Sequence, residues 1–364
     1  MKRRKFVATA GAGMAGILAS ATPPAFAQAP AEVKWRLASS FPKSLDTIFA
    51  VAEVMSKRIA SLTDNRFQVQ VFAAGEIVPG LQVADAVQNG TVQCGHTASY
   101  YYTGKDPTFA LGCAVPFAMN ARQFNAWWYT GGGDALFNEF LGEYNIHSIL
   151  AGNTGAQMGG WYRKEVKTVA DLKGLKLRIA GLAGQVLAKL GVVPQQIAGG
   201  EIYPALEKGT IDAAEWVGPF DDEKLGLGKI ARYYYYPAWW EGGPALHLYV
   251  NKKSWSDLPK GYQSALEVAA HEANTLMLSR YDAGNPAALK RLVASGVQLR
   301  PYPRPIMDAC YAAAMEFYGE LYKANAKFKR IHEHQMKFME DEILWFRVCE
   351  ANYDNYMQTG RKKG

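Results

Sequence analysis

The order of elements predicts an α/β protein of two lobes, on three observations. First, residues 171–217 alternate strand, helix, strand: LKLRI alternates apolar and charged residues, Gly184 to Leu190 has helical spacing, Tyr203 to Lys208 repeats it, and Ile211 to Val217 returns as a strand. Second, residues 33–97 read βαβαβ, the order of a mainly parallel sheet. Third, the two stretches echo each other. Helix–Gly90-Thr91-Val92-Gln93-Cys94 matches helix–Gly209-Thr210-Ile211-Asp212-Ala213, and each strand runs into aromatic residues, Tyr100-Tyr101-Tyr102 in one and Trp216 and Phe220 in the other. Helix–Gly–Thr–strand is a frequent connection, so an accidental match stays open. If the echo is real, two similar lobes present equivalent strand ends to one cleft, the place where α/β sheets bind ligands.

From the beginning, Lys2, Arg3, Arg4 and Lys5 precede an apolar stretch from Phe6 to Ala21, and Ala25-Phe26-Ala27 is a small-x-small cleavage site. Residues 1–27 therefore read as an export signal. Arg3-Arg4-Lys5-Phe6-Val7 resembles a twin-arginine signal, with an ordinary secretory signal as the alternative. No cysteine follows the cleavage site to carry a lipid, and no later run reaches the ~20 apolar residues of a spanning helix. Of the formal charge of +7, four units lie in the signal, and Arg361, Lys362 and Lys363 account for the remaining +3. The body is near neutral, which argues against nucleic-acid binding. Cys94, Cys113, Cys310 and Cys349 lack metal-ligand spacing and are expected as scattered buried thiols, although an exported chain can form disulfides.

In chain order, Val33 to Ser39 is the first strand, Ser44 to Leu62 an amphipathic helix, Phe67 to Phe72 a strand, Leu81 to Gln88 a helix and Val92 to Thr97 a strand. Asn120 to Phe140 is helical with a break at Gly131-Gly132-Gly133; strands follow at His147–Ala151 and Met158–Tyr162. Thr168 caps a short helix through Leu172. Ala245 to Val250 is a strand crossing back to the first lobe, and a helix runs from near Pro259 to Leu278. Crossings near residues 152 and 243 make a two-strand hinge that permits closure around a ligand. From Ile306 to Met357 there is no proline and one glycine, and Ile331, Phe338 and Trp345 are spaced by sevens. Phe346, Cys349, Tyr353 and Tyr356 extend that apolar face. A helical pattern this long is expected to lie across both lobes or against another molecule. The expected division is 1–27 signal, 28–152 with 243–285 first lobe, 153–242 with 286–325 second lobe, and 326–364 long C-terminal helix and tail.

By spacing alone, Arg178 reads first as a surface charge at a strand edge. Its guanidinium is nevertheless the fork that pairs with a carboxylate. Glu215 reads as a strand-end acid, Glu241 as a loop acid, Gln157 as a polar loop residue, and Tyr100 and Tyr101 as core or cleft lining. His332 and His334 are two apart on a helix and face different ways. Ser-His-Asp, phosphate-loop, HExxH and CxxC patterns are not found, so nucleophilic, nucleotide and zinc chemistry lack support.

DLKGLKLRIAG followed by YPALEKGTIDAAEW resembles the solute receptors of tripartite ATP-independent periplasmic (TRAP) transporters, and the Glu215-Trp216 pair resembles the branch that binds 2-oxoacids such as pyruvate. The resemblance implies a two-lobed periplasmic binding protein fold with two hinge crossings and a long C-terminal helix. It implies a receptor, not an enzyme, that hands its ligand to membrane permease subunits and can form a homodimer through that helix. It implies that Arg178 holds the ligand carboxylate, that Gln157, Tyr100, Tyr101, Glu215 and Trp216 meet the ligand, and that Gln157, Glu215, Glu241 and the Trp216 carbonyl hold a cation. Charge counting reaches a cation independently: a carboxylate ligand beside two glutamates opposes one arginine, and the excess must be neutralised or protonated. Charge alone favours Ca²⁺; the resemblance favours Na⁺. The rival class is a secreted enzyme using Glu215 and Glu241 as an acid–base pair; a receptor serving an ATP-driven transporter is a further alternative.

Overall fold

The computed structural model describes residues 32–360, so the export signal and the basic terminal residues lie outside it. β1 (Val33–Ser39) turns Trp35 and Leu37 inward and exposes Lys34 and Arg36, as its alternation requires. α1 (Ala50–Leu62) buries Val51, Ala52, Met55 and Ile59 on one stripe. It starts six residues later than the pattern suggested, because residues 43–49 form turns, which bury Leu45 and Ile48, rather than a continuous helix. β2 (Phe67–Phe72), α2 (Val83–Gln88) and β3 (Cys94–Thr97) complete the predicted βαβαβ, with β1 between β2 and β3 and parallel to both. α3 (Ala121–Tyr129) starts at a capping box in which Asn120 and Gln123 bond each other's backbone at 2.9 Å. The glycine run then separates it from α4 (Gly133–Gly142). β4 (Ile146–Asn153) ends the first pass.

The second sheet follows: β5 (Gly160–Tyr162), β6 (Lys176–Arg178), α5 (Ala183–Ala188), β7 (Val193–Gln195), α6 (Gly199–Glu207), β8 (Ala213–Ala214), α7 (Pro219–Leu225) and β9 (Tyr233–Tyr236). β10 (Ala245–Asn251) returns to the first sheet and inserts antiparallel between β3 and β4. α8 (Lys252–Asp257) and α9 (Lys260–Ala294) lead to β11 (Gln298–Pro301), followed by α10 (Arg304–Ala324), α11 (Ala326–Val348) and α12 (Glu350–Gly360). The strand orders are β2-β1-β3-β10-β4 and β11-β9-β5-β8-β6-β7. The chain passes between sheets at residues 154–159, again at 237–244, and a third time through α9. The first two passages lie side by side, with the Gln157 amide donating to the Glu241 carbonyl at 3.2 Å and Ala238 to the Gln157 carbonyl at 3.1 Å.

The echo between the halves has a local geometric counterpart. Gly90 and Gly209 both close their helices at φ +72°, a left-handed value glycine adopts freely. β3 then runs parallel to β1, as β8 runs parallel to β6.

Three elements differ from the sequence reading. The strand expected over 211–217 pairs only at Ala213 and Ala214, because the next carbonyl, that of Glu215, is taken by the Arg178 side chain at 2.7 Å. α9 does not stop at Leu278; it continues through Pro286 to Ala294, held where Tyr281 and Asn285 bond α7. It is α9, packed on β4 and α1 of one sheet and on α7 of the other half, that spans the molecule. The expected long C-terminal helix is present as α11, but the helical pattern that begins at Ile306 is divided into three helices. Asn325 breaks it, with its side chain capping Phe328 N at 2.9 Å and donating to Asp106 at 2.8 Å, and a second break falls at Cys349. α11 packs on α3, α4, α10 and residues 107–112 rather than across both sheets. Its first half buries Phe328 and Ile331, whereas Leu344 and Trp345 are more than half exposed. Cys94, Cys113 and Cys310 are buried free thiols and Cys349 is an exposed one.

Candidate functional site

β6 and β8 are parallel neighbours, with Arg178 opposite Ala214. Arg178 therefore stands at the C-terminal end of one strand, beside Glu215 just past the end of the next. It is not a surface charge: Arg178 is 1% exposed and Glu215 0%. Arg178 Nε donates to the Ile197 carbonyl at 3.0 Å, and Nη1 donates to both the Glu215 carbonyl and Glu215 Oε1. Oε1 also accepts from Ala180 N at 3.2 Å. The guanidinium lies 5.1 Å from the centre of the Trp216 ring. Its Nη2 has no partner. A buried guanidinium prong without a partner has the geometry to pair with a carboxylate.

Gln157 and Glu241 come from the two passages between the sheets, one from each. The Gln157 carboxamide lies 2.6 Å from Glu241 Oε2, 2.8 Å from the Trp216 carbonyl oxygen and 3.0 Å from Thr154 Oγ1. With its nitrogen toward Glu241 and Trp216, it donates to both oxygens. Turned over, its oxygen, Glu241 Oε2 and the Trp216 carbonyl face one another as three oxygens, an arrangement that a proton on Glu241 or a cation satisfies. Glu215 Oε2 and Glu241 Oε1 are buried and without partners as well. These residues fit a hard cation, which takes carboxylate, amide and carbonyl oxygens. Among the described residues no cluster of three or more His, Cys, Asp or Glu side chains could hold a metal; the set here has two carboxylates and draws its other oxygens from an amide and the backbone.

Burial, and then the neighbouring Glu215, push the Glu241 carboxyl well above the usual range. Burial raises Glu215 too, against the pull of Arg178. For Arg178, burial is the largest single influence and opposes the charge, but Glu215, Tyr101, Tyr100 and Glu241 together outweigh it and hold the proton more firmly than usual. A cation held by these glutamates must displace their protons, so its affinity is expected to fall as pH falls, beginning above the ordinary carboxylate range. Calcium titrations from pH 8 to pH 5 check this. Glu241→Gln should flatten the profile, and a pH-independent affinity would contradict it.

A small pocket with an empty volume of ≈ 260 Å³ including its open side adjoins Gln157 and Trp216, whereas Arg178, Glu215 and Glu241 do not line it. Tyr100, Tyr101, Gln157 and Trp216 are among the residues that line it. Tyr100 stacks on Tyr101 at 5.1 Å, and the Tyr101 carbonyl accepts from Gln196 Nε2 of the other half at 2.8 Å. Phe41, Ile48, Thr154, Pro244 and Leu246 also line it and were missed. Thr154 and Pro244 follow β4 and precede β10, and their backbones bond at 3.1 Å, so the predicted crossings were the available signal. Phe41, 6.4 Å from the Trp216 ring, carried none.

Residues 38–325 match the bacterial extracellular solute-binding protein family 7. The chain belongs to this family. Among similar solute-binding proteins, a "monocarboxylate 2-oxoacid-binding periplasmic protein" of Nostoc sp. is 52% identical over 90% of each chain. A TRAP transporter solute-binding protein of Bordetella bronchiseptica, a mixed-occupancy dimer with calcium and picolinate bound in one site, is 50% identical, with TM-score 0.90 over 92% of this chain and 99% of that one. A TRAP periplasmic solute-binding protein of Pseudoalteromonas atlantica, with sodium and pyruvate bound, is 39% identical, with TM-score 0.87 over 89% of this chain and 99% of that one. The family is one of two-lobed binding proteins, and the two sheets here fit that architecture. Among the described residues no helix is long and apolar enough to cross a membrane.

Proposed function

We propose that this protein is the periplasmic receptor of a TRAP transporter and that it binds a small 2-oxoacid such as pyruvate together with a cation. The observation that carries the reading is the set of buried polar atoms without partners, Arg178 Nη2, Glu215 Oε2 and Glu241 Oε1, beside a pocket of small volume. Arg178 takes the ligand carboxylate through its free prong. Gln157, Glu215, Glu241 and the Trp216 carbonyl hold the cation, Na⁺ first and Ca²⁺ as the alternative. When bound, the cation neutralises the excess negative charge. Tyr100, Tyr101 and Trp216 cover the ligand and exclude water. Relatives that carry sodium with pyruvate, or calcium with picolinate, support both halves of this assignment.

The reading takes residues 28–152 with 243–285 as one lobe and 153–242 with 286–325 as the other. Gln157 and Glu241, sitting in the passages between them, then report closure directly to the ligand. On this reading the protein is a receptor rather than an enzyme, which the ion pair of Glu215 with Arg178 supports. Incubation with excess pyruvate, followed by recovery of the ligand, tests this. Unchanged pyruvate and saturable binding in calorimetry are expected; turnover, or no binding, overturns it.

The reading also includes a homodimer held by C-terminal helices. Ile343, Leu344, Trp345 and Val348 form an apolar face that stays 40–64% exposed in the single chain, more than an isolated surface helix normally shows. Sedimentation at micromolar concentration is expected to give a dimer, and Leu344→Glu with Trp345→Glu a monomer. A monomeric wild type contradicts the dimer.

A further inference from the structure

Thr154 stands in the first passage between the sheets, and its hydroxyl meets the Gln157 carboxamide at 3.0 Å. The backbone here is fixed to the second passage. Thr154 N donates to the Pro244 carbonyl at 3.1 Å, and the Gln157 amide to the Glu241 carbonyl at 3.2 Å. Asn153 locks the turn, accepting from Gly155 N at 2.8 Å and donating to the Gly243 carbonyl at 3.1 Å. Thr154 is 3% exposed and Gln157 5%, so both side chains take their hydrogen-bond partners from the protein. A carboxamide has two ends of nearly equal size and opposite chemistry. With its oxygen toward Glu241 and Trp216, the Gln157 nitrogen donates to Thr154 Oγ1 at 3.0 Å, and the Thr154 hydroxyl donates in turn to the Gly155 carbonyl at 3.0 Å. With its nitrogen inward, Gln157 donates to Glu241 Oε2 at 2.6 Å and to the Trp216 carbonyl at 2.8 Å, and its oxygen accepts from the Thr154 hydroxyl. A hydroxyl carries one proton, so Thr154 serves the Gly155 carbonyl or the Gln157 oxygen and not both.

We propose that Thr154 is a positioning residue for the cation: its hydroxyl accepts from the Gln157 nitrogen and so turns the amide oxygen toward Glu241 and Trp216. The inference rests on the cation reading above and deepens it. Glu241 and the Trp216 carbonyl are both acceptors, so by themselves they draw the amide nitrogen, and an N–H pointing inward repels a cation. Oxygen inward keeps two hydrogen bonds through Thr154; nitrogen inward keeps one. The hydroxyl therefore lowers the cost of the orientation that a cation needs. Thr154 acts through Gln157, as the partners behind metal ligands commonly do. With the backbone pinned to the second passage, the exchange needs only a turn of the amide and a rotation of the hydroxyl proton.

Wild type, Thr154→Val and Thr154→Ser are titrated with calcium chloride and with sodium chloride at one fixed pH, with excess pyruvate present throughout. Thr154→Val removes the hydroxyl at nearly the same shape and is expected to weaken cation uptake by about five- to tenfold, the worth of one hydrogen bond. Thr154→Ser keeps the hydroxyl and should bind within about threefold of wild type. A packing role predicts the reverse order, because valine keeps the methyl group that serine lacks. The side-chain amide resonance of Gln157, assigned by its loss in Gln157→Glu, reads the orientation itself. It is expected to move on cation addition in wild type, and to need more cation by the same factor in Thr154→Val. Three results overturn the inference and leave the cation reading standing: wild-type cation affinity in Thr154→Val, a serine variant as weak as the valine one, or a Gln157 resonance that stays in place while the cation binds. A wild type that takes up neither ion overturns that reading and the inference with it.

Discussion

Arg178→Ala is expected to lose pyruvate binding by on the order of 30- to several-thousand-fold, the usual cost of removing one partner from a buried charge pair. Two effects add. The ligand loses the free guanidinium prong, and Glu215, 0% exposed, loses its countercharge. Arg178→Lys should rescue little. An ammonium can face Glu215 or the ligand, but it cannot also keep the Nε bond to Ile197 and the Nη1 bonds to Glu215 while presenting a further donor. Calorimetry against pyruvate, with thermal melts to verify folding, reads the effect. A folded Arg178→Ala that binds as wild type would remove the carboxylate assignment altogether.

Removing the cation should be as severe. The ligand carboxylate, Glu215 and Glu241 meet a single arginine, so binding is expected to collapse in chelator-treated, sodium-free buffer and return when salt is added. The ion that restores it identifies the site: sodium alone, or calcium at low concentration. Glu215→Gln separates two roles. If the carboxylate bridges to the cation, the variant loses the cation and most of its affinity. If it merely repels the ligand, the variant binds more tightly and ignores sodium. Tight binding by wild type without any cation excludes the bridging role.

Sequence order was enough to bring Arg178 and Glu215 together, because alternation located two strands and parallel neighbours must end at one edge. It could not say that Arg178 would be buried: a charged residue on an alternating strand reads as outward, and only the closing of the second half over that edge turns it in. Gln157 and Glu241 are polar residues in loops, where no periodicity exists to point anywhere. The resemblance to TRAP receptors supplied them, and their placement in the two paired crossings became visible only in three dimensions. Phe41 and Ile48 lie in the connection between β1 and α1 and Leu246 far along the chain in β10, and their meeting depends on β10 inserting between β3 and β4. The helix reading that stopped at Leu278 fell short because Tyr281 and Asn285 secure the following turns to α7, so that α9 runs on through Pro286. The uninterrupted helical pattern from Ile306 did not show the break at Asn325, whose side chain caps Phe328 N and bonds Asp106.

The central claim, one small 2-oxoacid and one cation per chain, is tested most directly by native mass spectrometry of protein released gently from the periplasm, without refolding or dialysis. The predicted spectrum shows each chain heavier by a sodium or calcium ion plus a 2-oxoacid of pyruvate's size class, with both lost together in Arg178→Ala. Chains carrying no small molecule after incubation with pyruvate and salt, or an organic ligand held without any metal ion, would contradict it.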